Sequence, residues 1–117
     1  MRWRVLIVDD EKLLARAMCD VLSDHHHVEH APSVAAARRR LGEPGAFDVV
    51  LCDVQLPDGH AGQVHDVFRQ THPGARFVLV TGGDASVAQA LSCGACPVLR
   101  KPFDLEQLPA LLAALVA

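Results

Sequence analysis

The 117-residue chain has no tyrosine, a single tryptophan and four phenylalanines. So small an aromatic supply argues against a flavin carrier, which needs rings flanking its cofactor. Basic residues are not in excess: eleven Lys and Arg face fourteen Asp and Glu, for a net charge of −3. The electrostatic footprint of a nucleic-acid surface is therefore missing. The one basic run, Arg38-Arg39-Arg40, reads as a solvated helix face. No apolar run approaches the ~20 residues of a bilayer span, and Met1 is followed almost at once by a strand-like run without a signal-peptide pattern. The four cysteines (Cys19, Cys52, Cys93, Cys96) are accordingly expected to be reduced thiols of a cytoplasmic protein. Cys93 and Cys96 have C-x-x-C spacing, but no second pair completes a zinc site. They follow a short helix instead of opening one, where the dipole would activate a thiol. Ordinary packing is the expectation for them. His25-His26-His27 with His30 lacks partners at zinc-site spacing and reads as a polar turn.

Half of the residues are hydrophobic, and the length suits one domain, residues 1–117. Apolar runs alternate with segments of helical period. Strands are expected at 3–8, 27–31, 47–52, 76–80 and 97–100. Helices are expected at 11–24, 34–41, 62–70, 85–92 and 105–117. Ser33 and Asp104 stand where N-caps belong. Gly42 with Pro44-Gly45, and His72-Pro73-Gly74, stand where helices stop. Continuous apolar strands require a sheet covered on both faces, and right-handed crossovers then give a doubly wound parallel α/β sheet of five strands flanked by five helices. The order 2-1-3-4-5 sets the first and third strands side by side at the switch point.

Ligands of such sheets bind outside the carboxyl ends of the strands. The residues at those ends are Asp9 and Asp10, Asp53, Thr81 and Lys101. Asp53 directly follows Val49-Val50-Leu51-Cys52, an expensive place for a lone carboxylate. Three close carboxylates do not all stay ionised without a positive partner. Oxygen-rich clusters of this kind suit Mg²⁺. A carboxylate beside Mg²⁺ can attack phosphorus to give an aspartyl phosphate. The metal and Lys101 would offset charge on the transferred phosphoryl group, and Thr81 could donate to one of its oxygens.

The segments VLIVDDE (5–11), DVVLCDVQLPDG (48–59), FVLVTGGD (77–84) and PVLRKPF (97–103) resemble, in order, the landmarks of the receiver domains of two-component response regulators. The resemblance spans essentially the whole chain and implies a flavodoxin-like receiver fold. It implies Asp53 as phosphoacceptor, Asp9, Asp10 and Asp53 as Mg²⁺ ligands with the backbone carbonyl of Gln55, Thr81 as switch hydroxyl and Lys101 as phosphate-pairing lysine. A cis Lys101–Pro102 bond is implied as well. The implied phosphodonor is a sensor histidine kinase or a phosphotransfer protein. The output surface would be the fourth helix, fifth strand and fifth helix, without direct nucleic-acid or membrane contact, and a phosphorylation-dependent homodimer is open to it.

Three departures stand out. Val98-Leu99-Arg100 occupies the region where the family often carries an aromatic switch residue. The span from Thr81 to Lys101 is about two residues short, which, with Cys96-Pro97-Val98-Leu99, resembles receivers attached to hybrid histidine kinases. The family's glycine eight residues beyond the phosphoacceptor is Ala61 here, with Gly62 beside it. The competing class is a small Mg²⁺-dependent aspartyl-phosphate phosphatase, but its D-x-D pattern would put an acid where Gln55 stands.

Overall fold

In the computed structural model, residues 2–82 and 96–116 are described. β1 (Arg4–Val8), β2 (His27–Ala31), β3 (Val49–Asp53), β6 (Arg76–Thr81) and β7 (Val98–Arg100) form one sheet. All its pairs are parallel, in the order β2-β1-β3-β6-β7. This is the expected 2-1-3-4-5 arrangement, with β1 and β3 adjacent at its centre. A two-stranded antiparallel hairpin, β4 (Gln55–Leu56) and β5 (Gly59–His60), leaves the end of β3.

Strand side chains alternate between the two faces, and each face is covered. Leu6, Val8, Val50, Cys52 and Leu79 face α2 (Val34–Gly42) and α3 (Ala61–Thr71), together with Phe47, Leu41 and Phe68. Val5, Ile7, Val49, Leu51, Val78 and Val80 pack with Met18 and Leu22 of α1 (Lys12–Leu22) and with Leu108 and Leu112 of α4 (Leu108–Val116). Burial on both faces is why these strands read as unbroken apolar runs. Trp3 lies against the second cluster and stacks on His26, centroids 4.9 Å apart and 7° from parallel.

The caps follow the sequence reading in part. Ser33 Oγ accepts from Ala36 N–H at 3.1 Å, and Asp104 Oδ1 accepts from Glu106 N–H at 2.9 Å. α3 begins with a capping box: His60 Nδ1 accepts from Gly62 N–H (3.1 Å), and Gln63 Oε1 accepts from His60 N–H (2.9 Å). Gly74 turns the chain after α3 at a φ of 90°, which glycine adopts without penalty.

Several expectations change. The last helix was expected as one piece over 105–117. It is a 3₁₀ turn, Leu105–Gln107, running into α4. Pro109 then lies in the first α-helical turn, where its missing N–H breaks no bond. The expected helix at 85–92 lies outside the described residues, which hold four α-helices. Phe47 precedes β3 instead of opening it, and Asp53 is the strand's last rung, paired with Val80. Arg40 is not simply solvated: it pairs with Glu29 and Glu43, and Glu29 also takes Arg4. Cys96 is disulfide-bonded, while Cys19 and Cys52 are free. Cysteine pairing depends on the approach of two backbones, which the expectation of reduced thiols did not address.

Candidate functional site

The sheet gathers the strand-end residues at one edge. Asp9 follows β1 and is almost fully buried, Asp53 ends β3 and is half-buried, and Thr81 ends β6 and is buried. Lys101 follows β7, and its backbone N–H donates to Thr81 O at 2.8 Å. Its Nζ lies 2.9 Å from Glu11 Oε1, 3.3 Å from Asp9 Oδ2 and 3.6 Å from Asp53 Oδ2. A pocket of about 540 Å³ opens here, lined by residues that include Asp10, Asp53, Gln55, Thr81 and Lys101. The Lys101–Pro102 bond is cis.

The electrostatics follow from crowding. Burial pushes the Asp53 carboxyl above its ordinary range, and Asp9 and Asp10 push the same way against the opposing effect of Lys101. Burial acts to lower Lys101, but Glu11, Asp53 and Asp9 outweigh it and raise its ammonium. The two shifts are not reciprocal, because Lys101 collects three carboxylates while Asp53 shares one ammonium with the others. Asp9, Asp10 and Asp53 each offer an oxygen within 4.8 Å of the others'. An all-oxygen donor set beside an under-compensated carboxylate fits a hard divalent cation. Among the described residues no other group of His, Cys, Asp and Glu has such geometry, so the histidines at 25–27 and 30 form no metal site with described partners.

Supporting residues emerge that the sequence reading passed over. His30 Nε2 donates to Asp9 O at 2.7 Å, tying β2 to the loop carrying the acidic pair. Asp9 Oδ1 accepts from Glu11 N–H at 2.9 Å. Asp58 accepts from Val34 N–H (2.8 Å) and Ala35 N–H (3.0 Å), so the loop beyond Asp53 helps cap α2. These hydrogen bonds hold the Asp58 carboxyl below its ordinary range. Gly59 is closely hemmed in: a Cβ there would lie 1.8 Å from Gln63 Oε1, the acceptor of the α3 capping box. No local signal could have hinted at the Asp58 contact, since Asp58 follows the helix it caps and the contact spans 24 residues.

A clustered acidic pocket with one lysine, at the switch point of a doubly wound parallel sheet, defines a phosphoacceptor domain of signalling proteins. The chain belongs to the response regulator receiver family, whose domain model matches residues 5–113. It is 35% identical over 117 residues to the response regulator protein PilR of Pseudomonas aeruginosa, covering 96% of this chain and 26% of PilR. It is 34% identical over 119 residues to the photosynthetic apparatus regulatory protein RegA of Cereibacter sphaeroides, covering 94% of this chain and 61% of RegA. The chain thus spans between about a quarter and three fifths of these relatives. A response regulator receiver protein from Sinorhizobium medicae superposes with a TM-score of 0.85 at 26% identity, over 98% of this chain and 94% of that one. The chain is a phosphoacceptor receiver domain of two-component signalling with the acidic pocket Asp9, Asp10 and Asp53. Domains of this family work with histidine kinases. No helix among the described residues is long and apolar enough to cross a membrane.

Proposed function

We propose that residues 1–117 form a single cytoplasmic receiver domain that accepts phosphate on Asp53 from a phosphohistidine of a sensor kinase or phosphotransfer protein. The observation that carries this reading is the convergence of Asp9, Asp53 and Lys101 within about one side chain's reach, with Lys101 Nζ 3.3 and 3.6 Å from the two carboxylates. One Asp53 oxygen attacks phosphorus and the P–N bond breaks. The imidazole leaves with that electron pair, neutral because its other nitrogen carries a proton. Lys101 pairs with the phosphoryl oxygens as their charge grows, and the Thr81 hydroxyl donates to one of them. Asp9, Asp10, Asp53 and the backbone carbonyl of Gln55 would hold Mg²⁺, which when bound offsets the charge of the phosphoryl group.

Docking of the donor has a natural foothold in Leu13. It is 87% exposed on the first turn of α1, two residues beyond Glu11 at the pocket. The response is proposed to run from Thr81 to the β7–α4 face and the segment before β7. The Lys101 N–H to Thr81 O bond supports that route. Val98 is exposed and Leu99 buried where an aromatic switch would stand, so no ring needs to swing. The short Thr81–Lys101 span supports a receiver of the hybrid-kinase kind. Direct contact with nucleic acid or membrane is not part of this reading, and a homodimer formed on phosphorylation is.

Incubation with acetyl phosphate and Mg²⁺, followed by intact mass, tests it. One phosphoryl adduct is expected, absent after chelation and absent in Asp53→Asn. An adduct that persists in Asp53→Asn, or none in the wild type, would refute it.

A further inference from the structure

Lys101 lies closer to Glu11 than to the aspartate it is proposed to serve. The Glu11 contact is 2.9 Å and the Asp53 contact 3.6 Å. Glu11 occupies the N-cap position of α1, yet its side chain makes no capping hydrogen bond. N-cap side chains ordinarily satisfy the first free helix N–H groups. Here the carboxylate reaches instead to the ammonium across the pocket mouth. Asp9 steadies both ends of that contact, since its Oδ1 accepts from Glu11 N–H and its Oδ2 from Lys101 Nζ. The two partners differ in exposure: the Lys101 side chain is 17% exposed and that of Glu11 61%. A pair so open to water is weak enough to break and close enough to bias where the lysine rests.

The geometry points to Glu11 as a positioning residue for phosphoryl transfer: it holds Lys101 off Asp53 until the incoming phosphoryl group takes the lysine over. Phosphorylation converts a singly charged carboxylate into a group of nearly two negative charges. That group outbids Glu11 for the ammonium, and Glu11 is released to solvent. Transfer is then coupled to breaking one ion pair, and the unphosphorylated site keeps its lysine parked. This deepens the proposed phosphoacceptor role of Asp53 and rests on it.

Rates of adduct formation with acetyl phosphate at saturating Mg²⁺ and fixed ionic strength test the assignment in wild type, Glu11→Gln, Glu11→Asp, Lys101→Met and the Glu11→Gln/Lys101→Met double variant. Glu11→Gln should be faster by about two- to five-fold, the range set by a solvent-exposed ion pair. Glu11→Asp should stay near wild type. The gain should vanish in the Lys101→Met background, as a double-mutant cycle requires of residues acting on each other. Absence of a gain in Glu11→Gln would overturn the assignment. So would an equal gain without Lys101, which would mean that Glu11 merely repels the anionic donor. If Lys101→Met transfers too slowly to compare, the Nζ resonance of Lys101 decides: it should move in Glu11→Gln, and an unmoved resonance overturns the latch. Failure of the wild type to gain an adduct would instead sink the phosphoacceptor reading itself.

Discussion

Replacing Phe68 by alanine should cost about 3–5 kcal/mol, the range for emptying a buried aromatic site. Phe68 is 4% exposed on the inner face of α3. Its ring lies 5.2 Å from Phe77, 5.9 Å from His72 at 2° and 6.2 Å from His65. Aromatic pairs add about 0.5–1.5 kcal/mol beyond their buried area, so the upper half of the range is expected. Against a total of about 5–15 kcal/mol for a domain, that is a large share. Urea titration is the assay. With a slope of about 1–3 kcal/mol per molar, the midpoint should fall by roughly 2 M. Trp3 makes the experiment sharper, because it is the only tryptophan and packs with the cluster on the opposite face of the sheet. Its fluorescence and far-UV circular dichroism should report one midpoint if both faces unfold together. Phe68→Leu should fall between wild type and alanine. A loss below about 1 kcal/mol for Phe68→Ala would show that the aromatic cluster is not a working part of the core. Well below its midpoint the variant should still take up phosphate, since Phe68 does not line the acceptor pocket.

Acid should weaken the fold through His26, His65 and His72. Burial lowers all three, with charged neighbours adding to the effect at His26 and, at His65, Arg69 lowering and Asp66 opposing; a hydrogen bond with Gly45 opposes it at His72. Their folded pKa values lie below the unfolded value near ~6.5, so their contribution is complete above that pH and declines as pH falls through it toward the folded values. Denaturation midpoints between pH 8 and 5 should show this fall, and His65→Phe should flatten it. Asp53→Asn should stabilise the metal-free protein at pH 7, because burial and neighbouring carboxylates raise this acid. Its penalty is present above the folded pKa and gone below the unfolded value near ~3.9, so wild type and variant should converge in acid. Leu13→Ala should slow transfer from a phosphohistidine protein by roughly ten-fold, as loss of an interface anchor does, and leave the acetyl phosphate rate unchanged.

Alternation of apolar runs with helical segments was enough to write down the sheet and its order, because strands buried on both faces and short crossovers leave few topologies. The strand-end residues Asp9, Asp53, Thr81 and Lys101 were legible for the same reason: in this architecture the carboxyl ends of strands share an edge, so position along the chain becomes position in space. Asp53 was conspicuous because a charge directly after Val49–Cys52 needs a compensating environment. Ser33 and Asp104 were legible as caps because capping is local, within three residues.

What stayed hidden was contact between segments far apart in sequence. The ties from Asp58 to α2 and from His30 to Asp9 join groups 24 and 21 residues apart. Lys101 and Glu11 are separated by 90 residues. Arg40 looked like part of an exposed run until Glu29 of the neighbouring strand stood opposite it, and Cys96 looked like packing until it was found in a disulfide. Chain pattern alone therefore determined that Asp9, Asp10, Asp53, Thr81 and Lys101 share one sheet edge, since periodicity and strand ends are local properties summed by a single architecture. Which carboxylate the site's lysine rests on was decided only by the fold, because differences of less than an ångström between competing oxygens depend on where every packed element comes to lie.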